Sequence, residues 1–380
     1  MTFIPSRREL LIALNAAPSL SRPAAYRLAQ ELDRWADSSD PPERLAAEAG
    51  VPRAQMERAL AAVKDAGALA RRELAQAERL GARVVTLDDP AYPPLLHQLT
   101  LPPPVLYLRG ELPLSLVSPA VAIVGSRRAD TYGHEAAELF ARTLAAAGVT
   151  VISGFARGVD ASAHRAALAA EGGRTVAVLG CGLGVDYPRG HERLGDEIAA
   201  RGALVAELPC GTPPRSWHFP VRNRVIAALA SGTLVVQASP RSGSLITARH
   251  ALDLGREVWA VPGRIFDERS LGPHGLIRDG ALLVQHPRDI LEVLRPDAHA
   301  PQLPLFDPSA GPAAPEPDPP PGLAGEVLGA LPPGAVRLPE EIAAGLEAPV
   351  DQVLGALLDL ELEGWVKRHP GSAYGRALTP

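Results

Sequence analysis

Seven short apolar runs, each followed by a segment of helical periodicity, fill the middle of this chain. They are VAIV (121–124), VTVIS (149–153), TVAVL (175–179), ALVAE (203–207), TLVVQ (233–237), EVWAV (257–261) and ALLV (281–284). Strands this continuously apolar must be covered on both faces, which is the condition of a parallel sheet flanked by helices. The pattern predicts a doubly wound α/β domain, and ligands of such sheets sit in the loops that follow the carboxyl ends of the strands.

The flanks read differently. Over residues 1–80, Leu10, Leu11, Leu14, Tyr26, Leu28, Leu32, Leu45, Val51, Met56, Leu60 and Val63 recur at helical spacing, punctuated by Pro41, Pro42 and Gly50. Four or five short helices are expected there. Residues 81–295 form the α/β domain, whose lead-in holds ARVVTLDD and PPPVLYLRG as strands around a short helical AYPPLLHQL. Ten of the 26 residues from 296 to 321 are proline, so 296–322 reads as an extended linker. Residues 323–380 read as helix, turn, helix and β-hairpin, the pattern of a winged helix-turn-helix. Its wing carries Lys367, Arg368 and Arg376, but its helices carry Glu340, Glu341, Asp351, Asp359, Glu361 and Glu363. Duplex DNA and a protein partner both remain open for it.

A chain of 380 residues has length for two or three domains. It holds no run of about 18 apolar residues, so no membrane span is expected. Two cysteines, Cys181 and Cys210, have no metal-ligand spacing and suit a reducing cytoplasm. The net charge is −5, and only Lys64 and Lys367 among the cations are not arginine. That bias matches GC-rich coding and dilutes any single arginine as a signal. The window 208–252 stands out nonetheless. It contains no Asp or Glu, yet carries Arg215, Arg222, Arg224, Arg241 and Arg249, with Trp217 and Phe219 among them. Arginine beside an exposed ring suits single-stranded nucleic acid, with cation on phosphate and ring on base. The same residues could equally form a solvated surface, and charge alone does not separate the two readings.

The strand-end loops add weight to the first. GSRR (125–128) and the RSGS (241–244) before LITARH each precede a helix, where backbone N–H groups make an anion site. Ser242 or Ser244 is expected to cap the second helix. SGFARGVD (153–160) brackets Arg157 with glycines, and GCGLG (180–184) is expected to let a ligand approach its backbone closely. An enzyme would need a base, a nucleophile or a metal site. Asp160, His164, Cys181, Asp186 and Glu207 are the candidates, and none stands in a known catalytic spacing; no GxxxxGK[ST] loop occurs. Asp160 and His164, four apart, read as a structural pair, and Cys181 as packing.

These loops in this order resemble the DprA/Smf family, the DNA-processing protein A of natural transformation. The matching segments are GSRR, SGFARGVDASAH (153–164), LGCGLGVDYP (179–188), HFPVRNRVIAALA (218–230), SGSLITARHAL (242–252), GREVWAVPG (255–263) and HGLIRDGA (274–281). The resemblance implies a Rossmann-like central domain, a sterile-alpha-motif-like helical domain before it and a winged helix after it. It implies a homodimeric, non-enzymatic, cytoplasmic protein without cofactors that binds single-stranded DNA and passes it to the RecA recombinase. Carried over by motif, Ser126, Arg127 and Arg128 would meet phosphate, and Phe219 would stack on a base. Arg215, Arg222, Asn223 and Arg224 would line the groove. Gly154, Arg157 and Gly158 would complete the rim, and Ser242, Gly243 and Ser244 would form a neighbouring backbone site. The chain departs from the family's usual residues at Gln237, Ser216 and His274; Ser216 leaves one phosphate contact without its usual lysine, for which neighbouring Arg215 is the expected substitute. Trp217 is expected to pack inward.

Two rival functions are a nucleoside-monophosphate phosphoribohydrolase-like enzyme and a winged-helix regulator binding duplex DNA. The first class resembles PGGxGTxxE at the later helix, where this chain has SPRSGSLITARH without an acid. Gln302-Leu303-Pro304-Leu305-Phe306 resembles the short peptide that docks on the bacterial sliding clamp, a match short enough to arise by chance.

Overall fold

The structure, a computed structural model, describes residues 5–17, 20–36, 38–112, 119–294, 320–332, 334–369 and 371–377. The clamp-like Gln302–Phe306 segment lies outside them. Contacts divide the chain into two units, Met1–Pro296 and Asp297–Pro380.

The first unit begins with six helices: α1 (Arg7–Ala16), α2 (Arg22–Gln30), α3 (Leu32–Trp35), α4 (Pro42–Glu48), α5 (Arg53–Lys64) and α6 (Ala66–Arg79). Local chemistry starts several of them. Ser6 accepts from the Glu9 amide while Glu9 reaches back to the Ser6 amide, a reciprocal cap on α1. Ser21 caps α2, with proline in its first turn. The count exceeds expectation because the periodicity runs unbroken through Asp65, where the backbone nevertheless leaves the helical region and separates α5 from α6.

Nine strands follow: β1 (Ala82–Thr86), β2 (Val105–Gly110), β3 (Ala120–Val124), β4 (Thr150–Ser153), β5 (Thr175–Val178), β6 (Ala203–Ala206), β7 (Gly232–Val235), β8 (Glu257–Ala260) and β9 (Leu282–Leu283). Between and after the later ones lie α7 (Thr131–Ala146), α8 (Val159–Ala169), α9 (Glu192–Arg201), α10 (His218–Leu229), α11 (Ser244–Asp253), α12 (Leu271–Arg278) and α13 (Pro287–Leu294). All seven expected strands are present. They form one sheet in the order β1-β2-β6-β5-β4-β3-β7-β8-β9. The seven strands from β6 to β9 pair in parallel, and β2 and β1 extend the sheet antiparallel. The sheet is therefore mixed where the lead-in joins it.

Each strand supplies both layers through its period of two. On β3, Val121 and Ile123 pack with α7 and α8, while Ala122 and Val124 face α10 and α11. The N-terminal helices cover a further part of the sheet, sharing a core with Tyr107, Ala177, Leu204 and Ala206. The chain order reverses between β3 and β7, so their carboxyl ends splay into the crevice where ligands of this architecture bind.

The second unit contains α14 (Leu323–Gly329), β10 (Val336–Arg337), α15 (Pro339–Leu346), α16 (Val350–Leu362), β11 (Val366–His369) and β12 (Ala373–Arg376). Its sheet order is β10-β12-β11 over a core of Val327, Ile342, Leu357 and Leu360, the expected winged helix.

Candidate nucleic-acid interface

A cleft of about 650 Å³ opens at the β3/β7 switch point. Five segments converge on it: the loop after β3, Ala156 and Asp160 after β4, the approach to and first turns of α10, the loop after β7 with the start of α11, and Tyr187 from the loop after β5. Ten expected residues line it, namely Ser126, Arg127, Arg128, Arg215, Phe219, Arg222, Asn223, Ser242, Gly243 and Ser244.

Phe219 is the centre of this arrangement. Its ring lies against Gly180, where an added Cβ would come within 2.6 Å of Cδ1. The Tyr187 ring is 5.4 Å away, and the Arg127 guanidinium lies 4.9 Å from the Phe219 centroid. Arg127, Arg128 and Arg215 are exposed. The cleft therefore offers exposed cations around a half-exposed aromatic face, the pairing that a flexible polyanion with bases requires.

Beneath this surface the groups are locked. Arg222 is buried and donates through Nη1 to the Gly154 carbonyl at 2.6 Å and to the Val178 carbonyl, while Nε donates to Asn223 Oδ1 at 3.2 Å. Burial pulls its guanidinium down to about 10, with Asp160 opposing, so it stays cationic at neutral pH. Asn223 in turn donates to the Gly243 carbonyl at 2.9 Å, which ties α10 to the loop before α11. Asp160 is raised by burial and accepts from the Ala156 amide at 3.2 Å. Gly154 fits between these charges, since a Cβ there would lie 2.7 Å from both Arg222 Nη2 and Asp160 Oδ2. Gly158 has φ +78°, and a Cβ would meet the Ser126 carbonyl at 2.3 Å. Gly154 and Gly158 thus shape the cleft without lining it.

Several expectations need correction. Arg224 does not line the cleft. Its Nη2 donates to Glu207 at 2.5 Å, its Nη1 to the Leu101 carbonyl at 2.7 Å, and it lies over the Tyr26 ring. Tyr26 donates to the same Glu207 carboxylate at 2.8 Å, so this network pins α2 to the sheet. The acid-free window began one residue too late to include its counter-ion. Arg157 is exposed but outside the cleft wall. The helix after GSRR does not present a vacant anion site. Asp130 accepts from the Gly133 amide at 3.0 Å and pairs with Arg269 at 2.8 Å. The N-cap position of α11 is Gly243, not a serine, although the Ser242 hydroxyl accepts from the Ser244 amide at 3.4 Å; the two hydroxyls lie 2.7 Å apart. The glycines at 180 and 182 accommodate Phe219 and the Pro209 carbonyl, which are parts of the chain itself. Trp217 is 58% exposed, with Arg215 5.2 Å from its ring, and does not pack inward. Asp160 and His164 do not pair with each other. His164 Nδ1 bonds Thr175 at 2.7 Å, and burial takes its pKa down to about 3. Cys181 is buried, its thiol pushed up to about 11, consistent with packing.

Sequence reasoning missed Tyr187 as a wall of the cleft. Its only signal was an aromatic after the glycine-rich loop in a chain with 4% aromatics.

Residues 83–295 match the family model of DNA recombination-mediator protein A, and residues 311–372 match that of the DprA winged helix domain. The chain is 43% identical over 299 residues to protein Smf of Escherichia coli, covering 77% of each. The chain belongs to the DprA/Smf family. The DNA processing protein DprA of Bacillus subtilis is 39% identical over 223 residues, 59% of this chain and 75% of its own length. Among solved structures, DprA from Streptococcus pneumoniae superposes with a TM-score of 0.65 at 34% identity, covering 76% of this chain and 98% of its own. DprA from Helicobacter pylori, whose structure gave insight into its single-stranded DNA binding mode, superposes at 0.51 with 30% identity, covering 57% and 97%. The members of this family are DNA-processing proteins, and the switch-point cleft described above lies wholly within the segment that matches the recombination-mediator model.

Proposed function

We propose that this DprA/Smf member binds single-stranded DNA along the β3/β7 cleft and acts as a recombination mediator, protecting the strand and loading RecA onto it in transformation or recombinational repair. The observation that carries this reading is the Arg127–Phe219 pair, set among exposed Arg128 and Arg215 at the sheet's switch point. The exposed arginines hold phosphates, Phe219 stacks on a base, and the buried Arg222–Asn223 lattice keeps the loops in register. We read the chain as a cytoplasmic homodimer that works by binding and not by catalysis. Its functional divisions are a helical segment (1–80), the DNA-binding domain (81–295), a linker (296–322) and the winged helix (323–380). No helix among the described residues is long and apolar enough to cross a membrane.

The test is a gel shift of the full chain on oligothymidylate with a salt titration. Strong binding at low salt that falls linearly in log–log form supports the reading. Indifference to the oligonucleotide at low salt refutes it, and release of free base from nucleoside monophosphates would place the chain among the phosphoribohydrolases instead.

A further inference from the structure

Tyr187, which lines the cleft, also lines a second hollow. It measures about 270 Å³ and is walled by Phe155, Leu179, Leu183, Tyr187 and His191. We propose that this hollow takes one extruded base of the strand lying in the cleft; the proposal rests on the reading of that cleft as a single-strand site.

Four observations converge. The first is continuity, because Tyr187 lines both spaces and its ring stands 5.4 Å from Phe219, the proposed stacking platform. A strand passing Phe219 meets Tyr187 next. The second is an unmet polar group. His191 is 8% exposed and lines the hollow, and its Nδ1 has no hydrogen-bond partner among the described residues. Buried polar atoms are seldom left so, and the edge of a base carries donors and acceptors to complete it. The third is the shape of the walls. Phe155 meets His191 edge-on at 5.4 Å and holds φ +62°, a left-handed conformation unusual for a residue with a Cβ. Such strain persists only where the surroundings enforce it, commonly at ligand sites. The fourth is charge. Asp186 and Glu192 stand at the rim, and Asp196 is bound to Arg109 at 2.7 Å. A phosphate is unwelcome there, whereas a neutral base is not. Exposed Arg157 lies near enough to His191 to oppose its protonation, after burial and Arg165. The volume falls just below the roughly 300–1,000 Å³ of pockets for drug-sized ligands and suits a single base.

Gly195 provides a plug. A Cβ there meets only Phe155 Cζ at 3.5 Å and Leu204 Cδ1 at 3.6 Å, so Gly195→Leu enters the hollow without striking backbone. The full chain is titrated with oligothymidylate in which one abasic nucleotide is stepped along the strand. Two registers should each lose about tenfold in affinity, in the range that stacking of one base supplies. One loses its penalty in Phe219→Ala. The other loses it in Gly195→Leu, which binds the intact strand as weakly as the parent binds that abasic one. His191→Leu, which leaves the glycine at 195 in place but gives up the imidazole's hydrogen bond to the Phe155 backbone, repeats the cycle and should reduce the same penalty. A parent that binds oligothymidylate but shows only the Phe219-dependent register overturns the proposal, as does a second register unchanged by both substitutions. Failure of the parent to bind any oligonucleotide is a different result, because it removes the cleft reading itself and this proposal with it.

Discussion

Phe219 and Arg224 sit five residues apart on or beside the same helix turn sequence, and the structure gives them opposite work. Phe219 is half-exposed against Tyr187 and Arg127. Phe219→Ala should cost roughly 1–3 kcal/mol of single-strand affinity with little change in stability, read by fluorescence titration and a denaturant melt. Arg127→Ala should weaken binding evenly across sequences and lower the salt slope by about one, read from affinities at several salt concentrations. Arg224→Ala should do the reverse. It strands the Glu207 carboxylate in a buried site, which costs on the order of 3–5 kcal/mol of folding stability. DNA affinity of the folded fraction should stay near that of the parent, and a tenfold loss there would return Arg224 to the cleft. Both residues were legible as arginine-and-aromatic chemistry in the sequence. Their assignment was not, because a guanidinium five residues along a helix points to a different face, and only the fold says which face holds the carboxylate.

At the scale of elements, strand ends and helix starts explain which loop residues are available. Each βα loop is basic or glycine-rich in sequence, but the glycines mostly serve close approach within the chain. Gly180→Ala is the sharpest case. Its Cβ would press the Phe219 ring at 2.6 Å, so the substitution should weaken binding by displacing the ring while leaving every cation in place. An unchanged affinity, alongside an unchanged melting temperature, would mean that ring placement is not what the cleft needs. α16, the helix that a winged helix would lay in a DNA groove, carries Val350, Leu354, Leu358 and Leu362 exposed on one side and Asp351 and Asp359 beside them, with exposed Glu363 just past its end. Acid and apolar surface are poor company for phosphate. Capping was the least legible feature at this scale. Asp130, not a vacant turn, ends the GSRR loop, because a short carboxylate competes for the same first-turn amide that would otherwise meet an anion.

For the whole molecule, the prediction follows from where the proposed site lies. All of its residues belong to the unit Met1–Pro296, so removing 323–380 should leave oligothymidylate affinity within about twofold, measured by the same titration; loss of binding would favour the winged-helix regulator. The alternation of apolar strand and helix was enough to determine the doubly wound sheet, because strands buried on both faces have few ways to be covered and one hand of crossover. It also directed the proposed site to the strand ends, where the cleft opens. The mixed edge formed by β1 and β2, the burial of Arg222, the capture of Arg224 by Glu207 and the exposure of Trp217 were settled only by tertiary structure. Periodicity reports which residues leave water, whereas the partner of a charge and the neighbour of a ring depend on segments far apart in the chain, such as Tyr26 and Glu207, that only packing brings within hydrogen-bonding reach.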